Sequence, residues 1–423
     1  MNVYGPLTCL TIAVGTFIAD AVGATALVNV PMKLSELVQE ALARNPEIQA
    51  ARSQWDAAVE QVPQVVTLPD PRFGIQLWNI PQNGNLGTSV TRTQNTIYTF
   101  SQTFPFPGKL PLKGEMAART AGMTEQALRA KERDLVGRLK EVYFQLFFSH
   151  KELQIHHQHV ELVKQLFGTA KARFKAGQGT QVDVLKAQIE LSTLYQRLPV
   201  LEQQRDTTAA KLNTLLNRDP NGALGAPEEP PAIRLEQPME ELERMALMSR
   251  PELKAAELAI ERSDHARTFA ERQYYPDFEL AVQRFQNFQA TDGFGAIASV
   301  NIPFSFWTKR KYDSGVREAA AAAAAARAEY QTWQNVTRFE LMEVVARVRA
   351  QQRVADLYRT TILPQAEQHL EAARAGYRTG RSTFANIIEA ERGLLEFRVA
   401  YYKAVLDREV QVASLEQLVG TLL

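Results

Sequence analysis

The chain has 423 residues, and its 48 lysines and arginines nearly balance its 47 aspartates and glutamates, so the formal net charge is +1. This balance argues against a general affinity for nucleic acid or for an acidic partner. The length would allow two or three globular domains. Only one strong helix-breaking segment interrupts the chain, because residues 218–238 contain five prolines.

The first 26 residues are typical of a secretory signal peptide. Residues 7–14 are apolar, and small residues that suit a cleavage site follow at 22–26. Asp20 lies inside this segment and no lysine or arginine precedes it. A retained membrane anchor is the alternative, but the apolar stretch is shorter than the ~20 residues that a membrane-spanning helix needs. We therefore expect residues 1–26 to direct export and to be removed.

Cys9, the single cysteine, also lies in this segment. It could accept a lipid, but the residues before it fit a lipidation motif poorly. Without it the mature chain has no cysteine, which suits an oxidising compartment.

The rest of the chain contains an internal repeat. Residues 37–51 recur at 242–256, and residues 174–188 recur at 377–391. A spacing of about 200 residues is far longer than the 20 to 50 of solenoid repeats, so each copy must hold several secondary-structure elements. The predicted domains are the signal peptide 1–26, a first repeat 27–217, a linker 218–238 and a second repeat 239–423.

Each copy is predicted to contain a helix, two strands, a long helix and a shorter helix. In the first copy the helices are predicted at about 34–67, 113–176 and 181–217; in the second, the long helix covers about 309–379 and is broken only by Pro364. At 1.5 Å per residue the long helices would extend about 95 and 105 Å, too far for a compact domain. Apolar residues at a seven-residue spacing predict a coiled-coil seam along the first long helix: Leu139, Leu146, Leu153, Val160, Phe167 and Phe174.

Prolines at 69, 71, 105, 107, 276 and 303 mark the changes between helix and strand. The predicted strands alternate between apolar and polar residues, and they are joined by turns at Asn83-Gly84 and Asp292-Gly293. The apolar face carries Phe73, Ile75, Leu77, Tyr98, Phe100, Phe104, Phe278, Leu280, Val282, Phe294, Ala296, Ala298, Val300 and Ile302. The polar face carries Gly74, Gln76, Thr99, Ser101, Glu279, Gln283, Ser299 and Asn301.

Strands of this kind are typical of a lipid-embedded barrel with a wet interior. Beyond the amino-terminal segment no run of 18 apolar residues exists, so helices could not carry the chain across a membrane. Four strands cannot close a barrel, because even eight leave room only for packed side chains. We therefore expect several chains to share one barrel.

This layout resembles the outer-membrane efflux channels of the TolC family over the whole mature chain. The resemblance implies a mainly α fold with a β-barrel contribution. Three protomers, each with four strands, would form a twelve-stranded outer-membrane barrel that continues as a long periplasmic coiled-coil tube. The segments Leu68-Pro-Asp-Pro-Arg-Phe73 and Phe104-Pro-Phe-Pro-Gly-Lys109 are most similar to the heavy-metal, cobalt-zinc-cadmium branch.

The resemblance also implies a function and partners. The chain would be the outer-membrane channel of a tripartite efflux system, a homotrimer that contacts outer-membrane lipid, a periplasmic adaptor of the membrane fusion type and an inner-membrane pump of the RND type. Heavy-metal cations are one candidate cargo. No catalytic constellation, phosphate loop or nucleotide motif occurs in the sequence, so we expect neither an enzyme nor a cofactor.

Two segments correspond to the turns at which the family's channels meet the adaptor. A tight turn between two helices often needs a positive φ, which glycine adopts without strain. The alternative is that these are ordinary turns with no docking role. The predicted docking residues are Ala176, Gly177 and Gln178, and Thr379, Gly380 and Arg381.

The resemblance places a periplasmic gate near these turns. The family's closed state uses a tyrosine bonded to an aspartate, which match Tyr377 and Asp183. The partner arginine falls on Ser382, a departure from the family, although Arg381 is adjacent. Two acidic positions at the constriction correspond to Asn386 and Glu389, so one carboxylate is missing. Glu389 could instead be an ordinary solvated residue.

Four histidines, at 150, 156, 157 and 159, raise the question of a metal site. His156 and His159 are three residues apart and could share one ion. No neighbouring cysteine or carboxylate completes a coordination shell in the sequence, so we expect no metal site.

Two other classes of protein share some of these features. A periplasmic coiled-coil adaptor would also have heptads and an export signal, but it would need a β-rich lipoyl-like domain. A structural filament protein would not need strand hairpins between its helices. The hairpins favour the channel over both.

Overall fold

The protein is described by a computed structural model that covers residues 32–78, 95–231, 235, 237–287, 291–303 and 305–421. The predicted signal peptide 1–26 and the predicted turn at Asn83-Gly84 lie outside the described residues.

The described elements occur in the same order in both halves of the chain. The first half contains α1 (Leu34–Arg44), α2 (Pro46–Val59), α3 (Gln61–Val66), β1 (Arg72–Trp78), β2 (Asn95–Phe104), α4 (Lys109–Lys175) and α5 (Gln181–Leu215). The second half contains α6 (Met239–Ser249), α7 (Pro251–Arg272), β3 (Phe278–Asn287), β4 (Gly293–Val300), α8 (Lys309–Leu357), a π turn (Tyr358–Ile362), α9 (Leu363–Arg378) and α10 (Phe384–Val419).

The predicted first helix is divided at Asn45. Pro46 occupies the start of α2, where its missing N–H is not needed. The Asn45 side chain accepts a hydrogen bond from the Glu47 amide at 2.8 Å and donates to the Leu215 carbonyl at 3.0 Å. One buried asparagine therefore caps α2 and also satisfies a free carbonyl at the end of α5.

The two long helices fulfil the prediction of an elongated molecule. With 67 residues, α4 is about 100 Å long. In the second half, α8 passes through the π turn into α9 just before Pro364. Proline cannot donate the backbone hydrogen bond that an α-helix requires, and its ring crowds the carbonyl four residues earlier. The interruption thus lies where the proline predicts it.

The four strands form one antiparallel sheet in the order β1-β2-β3-β4. Phe73 lies opposite Phe100, Phe100 opposite Val282, and Val282 opposite Ala296, so the predicted apolar residues share one face. That face is exposed in the single chain, with 67% of Phe73 and 79% of Phe294 accessible. The opposite face is less uniform than predicted, because the register pairs Ile97 with Phe285 there.

Shorter helices line the long ones, as predicted. Helices α1, α2, α3 and α5 all pack against α4, and α7 packs between α4 and α8. Helix α10 contacts both α4 and α8. The buried apolar side chains form separate clusters along the length of the molecule, which is typical of a bundle too long for a single core.

The linker between the halves wraps around this bundle. Met32 forms a bridge with Pro227, and its amide donates to the Ala226 carbonyl at 3.0 Å. The Tyr143 hydroxyl donates to the Met32 carbonyl at 2.8 Å and accepts from the Glu228 amide at 2.9 Å. These bonds fix the described part of the linker against α4.

Among the described residues, no helix is both long and apolar enough to span a bilayer.

Replacement of Asn45 by alanine should lower the free energy of unfolding by about 2 kcal/mol, because α2 loses its cap and the partly buried Leu215 carbonyl loses its donor. Thermal denaturation in detergent, followed by circular dichroism, would measure the change. Ser53→Ala is the control, since this exposed hydroxyl only donates to Gln49 within the same helix. Equal melting temperatures for the two variants would contradict the prediction.

Candidate functional site

Two helical hairpins, α4–α5 and α9–α10, end in turns of the same construction. Gly177 has a φ of 70° and Gly380 a φ of 74°, so both glycines adopt the left-handed conformation that was predicted. The Gln178 amide donates to the Arg173 carbonyl at 2.9 Å, and the Arg381 amide donates to the Gly376 carbonyl at 2.8 Å. Both turns therefore end a helix in a Schellman-type arrangement.

The predicted gate residues Asp183 and Asn386 occupy the first turns of the following helices. Asp183 forms a capping box with Thr180, in which the Asp183 amide donates to the Thr180 hydroxyl at 3.2 Å and the Thr180 amide donates to the carboxylate at 3.3 Å. The Asn386 amide donates to the Thr383 hydroxyl, and its side chain donates to the Ser382 hydroxyl at 3.2 Å. Each residue thus has a local role in starting a helix.

A small core joins the two hairpins near these turns. Tyr377 is 8% exposed and Phe384 is 1% exposed, and their rings meet edge to face at 5.6 Å between centroids. The buried apolar cluster takes residues from all four helices: Ala170, Ala187, Ala366, Leu370, Ala373, Tyr377, Phe384, Ile387, Ile388, Ala390 and Leu394. We call this end of the two hairpins the tip.

Arg173, which is not among the predicted site residues, connects the hairpins at the tip. Its guanidinium carbon lies 4.5 Å from the centroid of the Tyr377 ring, and Nη1 donates to the Tyr377 carbonyl at 2.6 Å. Arg173 lies in the last turn of α4, where a basic side chain interacts favourably with the free carbonyls of the helix end. This position is the one signal in the sequence that marks Arg173. Arg173 thus supplies a cation beside Tyr377.

The Tyr377 hydroxyl is buried and has no hydrogen-bond partner among the described residues. Burial raises the pKa of Tyr377, the nearby negative charge of Asp183 raises it further, and Arg173 opposes both. Asp183 is therefore near enough to act on the tyrosine electrostatically. In the single chain the Tyr377 hydroxyl makes no hydrogen bond with Asp183, and the gate role of the two residues stays a prediction.

Farther from the tip, two side-chain contacts connect α10 to both helices of the first hairpin. The Arg392 Nε donates to the Glu190 carboxylate at 2.8 Å, which links α10 to α5. His159 Nδ1 lies 2.6 Å from a carboxylate oxygen of Glu391, which links α10 to α4. Both members of the second pair are almost fully buried, at 2% and 3% exposure of their side chains.

The histidines are placed differently from one another. His156 is buried, its Nδ1 lies 3.1 Å from the Glu152 carbonyl oxygen, and burial lowers the pKa of its imidazole. The carboxylate next to His159 comes from Glu391 on α10, so the sequence around the histidines does not reveal it. Within the described residues, no group of three or more histidine, cysteine, aspartate or glutamate side chains could hold a metal ion.

Glu389 projects from α10 as an exposed side chain. It lines an open groove of ≈ 580 Å³ between α5 and α10, together with Lys186, Ile189 and Arg392. Arg381 is also exposed, at the apex of its turn. The single chain brings the predicted gate residues to one end of the molecule, while their positions relative to a pore axis depend on further copies.

Comparison with known proteins agrees with this architecture. The family described as outer membrane efflux protein matches residues 37–218 and 242–421, one stretch in each half of the chain. The chain belongs to this family. The predicted resemblance is thereby confirmed, and this efflux protein is a transport component of the outer membrane.

The efflux protein is similar to the cobalt-zinc-cadmium resistance protein CzcC of Cupriavidus metallidurans, with 23% identity over 398 residues, 91% of this chain and 88% of CzcC. A crystal structure of CusC, described in connection with folding and transmembrane channel formation, matches with a TM-score of 0.78 at 18% identity and covers 93% of each chain. VceC from Vibrio cholerae matches with a TM-score of 0.75 at 19% identity, over 92% of this chain and 96% of VceC. The two structures share its fold.

Replacement of Arg173 by methionine should raise the open probability in planar bilayers, because the stem remains while the charge that joins the hairpins is lost. Tyr377→Phe keeps the ring and the carbonyl that Arg173 contacts, so it should behave like the wild type. Arg381→Met is the matched control, since the Arg381 side chain has no partner among the described residues. If Tyr377→Phe opens the channel as much as Arg173→Met, the hydroxyl and Asp183 hold the tip instead.

Proposed function

We propose that three copies of this chain form a passive outer-membrane channel that exports substrates delivered by a periplasmic adaptor and an inner-membrane pump of the RND type. The observation that carries this proposal is the sheet, which has one exposed apolar face and, within the described residues, two edge strands with a free side. The channel performs no chemistry of its own, so the pump supplies the energy.

The sheet supports a shared barrel for a physical reason. In a bilayer every backbone N–H and C=O group must be paired within protein, so an open edge cannot remain in contact with lipid. Three sheets of four strands give twelve strands, enough to enclose a lumen wider than one filled by side chains. The face with Thr99, Ser101 and Gln283 would then line the lumen, and the apolar face would meet lipid.

The helices support a periplasmic tube. At about 100 Å, α4 is far longer than the thickness of a bilayer, and it starts directly after the sheet. Three copies side by side would enclose a conduit that continues the barrel towards the pump.

The tip supports a gate with two states. The contacts of Arg173 with Tyr377, of Glu190 with Arg392 and of His159 with Glu391 all hold α10 or α9 against the first hairpin. An adaptor that binds the turns around Gly177 and Gly380 would separate the hairpins if it binds the open arrangement more tightly. The gate in this proposal comprises Asp183, Tyr377, Ser382, Asn386 and Glu389.

Heavy-metal cations are the proposed cargo. The similarity to a cobalt-zinc-cadmium resistance protein supports this choice. Around a threefold axis the exposed Glu389 side chains would form a ring of three carboxylates, which attracts cations at a narrow point of the pore. Asn386 supplies no second ring.

Glu389→Gln should reduce the preference of the channel for cations, because the ring loses its charge. The reversal potential of trimers in planar bilayers under a salt gradient measures this preference. Glu202→Gln serves as the control, since it removes an exposed charge of α5 away from the tip. An unchanged reversal potential for Glu389→Gln would show that this residue does not line the constriction.

Deletion of the gene should lower tolerance to cobalt, zinc and cadmium but leave tolerance to organic toxicants unchanged.

Complementation with Arg381→Asp should fail to restore metal tolerance, because the docking turn then carries the opposite charge, whereas Lys171→Asp on the nearby α4 surface should restore it. Both variants should conduct normally in planar bilayers. Restored tolerance with Arg381→Asp would argue against docking at this turn, and a selective loss of tolerance to organic toxicants would overturn the metal cargo.

A further inference from the structure

An ion pair with a buried lysine connects the two halves of the chain where the sheet meets the helices. Lys109, the first residue of α4, is 3% exposed, and its Nζ donates to the Asp277 carboxylate at 2.8 Å and to the Tyr275 carbonyl at 2.9 Å. The same carboxylate oxygen accepts the Phe106 amide at 2.7 Å. The pair therefore fixes the entry of α4 against the entry of β3, beside the contact of β2 with β3.

The repeat contains a second copy of each member of this pair. Asp70 precedes β1 in Pro69-Asp70, just as Asp277 precedes β3 in Pro276-Asp277. Lys309 is the first residue of α8, just as Lys109 is the first residue of α4. Asp70 and Lys309 are both exposed, and neither has an ion pair with any residue that the structure describes.

The strand register supports this equivalence. When Asp70 is aligned with Asp277, Phe73 corresponds to Leu280; when Pro105 is aligned with Pro303, Phe100 corresponds to Ala298. Phe73 lies opposite Phe100 in the first hairpin, and Leu280 lies opposite Ala298 in the second. The two hairpins therefore have the same register, and each residue of one has a defined counterpart in the other.

The two copies differ in the turn before the long helix. Gly108 has a φ of 91° and lies against the Arg272 guanidinium, whereas Thr308 has a φ of −97° and donates to the Pro303 carbonyl at 2.7 Å. The second turn is longer by Phe306 and Trp307. Lys309 keeps its place at the helix start despite this insertion, and its flexible stem can adapt to a different helix entry.

We propose that Lys309 pairs with Asp70 of the partner subunit at the boundary where β4 of one copy joins β1 of the next. This inference rests on the shared barrel of the proposed function. If the boundary repeats the geometry of β2 with β3, Val300 lies opposite Phe73 of the partner subunit, and Ser299 lies opposite Gly74 of the partner subunit. Apolar residues then meet apolar residues across the boundary. Each barrel contains six equivalent junctions, three within subunits and three between them.

The first experiment tests the register by disulfide cross-linking in outer membranes of cells that produce the full chain. Directly opposite strand residues have Cα atoms about 4.5–5.5 Å apart, within the range of a disulfide. Gly74→Cys with Ser299→Cys should give covalently linked subunits on oxidation, and a Cβ at Gly74 has open space. Gln76→Cys with Ser299→Cys is the control, since this diagonal pair is roughly 7–8 Å apart. Stronger cross-linking of the control would overturn the register.

The second experiment tests the ion pair by exchanging its charges. Lys309→Asp and Asp70→Lys should each lower the temperature at which the trimer dissociates in detergent, because each places like charges together. The double variant should regain most of that loss, and Arg310→Asp should cause little change. If the double variant is no more stable than the sum of the two single losses predicts, the proposed ion pair is wrong.

The outcome for the wild-type protein separates this inference from the proposed function. If the unmodified chain forms no trimer in outer membranes, the shared barrel itself is wrong. If the trimer forms and Gly74→Cys with Ser299→Cys links its subunits, but exchange of the charges gives no recovery, the barrel stands and the ion pair is wrong.

Discussion

The need to pair every backbone polar group inside a membrane is the constraint on which this structure depends. A sheet of four strands satisfies that need in its interior and leaves it unmet at β1 and β4. The apolar face of this sheet is also exposed in the single chain. In the proposed trimer, pairing of β4 with β1 of the next copy would satisfy the edge strands, and the apolar face would meet lipid.

Duplication explains how a single chain can contribute to such an assembly. Each half supplies a hairpin of the same register and a pair of antiparallel helices, and contacts between halves keep the two aligned. Lys109 with Asp277 aligns them at the sheet, and Arg173 with Tyr377 aligns them at the tip. Lys109 and Arg173 lie near opposite ends of α4, which is about 100 Å long, so contacts join the two halves at both ends of this helix.

The sequence predicted the features that depend on local physics. Proline positions, glycines with positive φ and the alternation of the strands each act through their own backbone or an immediate neighbour, and the structure agrees with them. Arg173 and the pair of His159 with Glu391 were not predicted, because their importance arises from residues more than 200 positions away. The apolar pairs of Ile97 with Phe285 and of Ala281 with Ile297 on the predicted polar face were also missed, since only the register brings these residues together. The roles of the tip residues in a gate depend on neighbouring copies, which no single chain contains.

Prolines make the two arms of each helical hairpin differ in stiffness. In the first hairpin α4 has no proline beyond its first turn, while Pro199 lies inside α5. In the second hairpin α10 has no proline, while the other arm changes from α8 to α9 through the π turn before Pro364. Each hairpin thus combines one arm without an interior proline and one arm in which a proline removes a backbone hydrogen bond, so bending at the proline costs less than bending of the other arm.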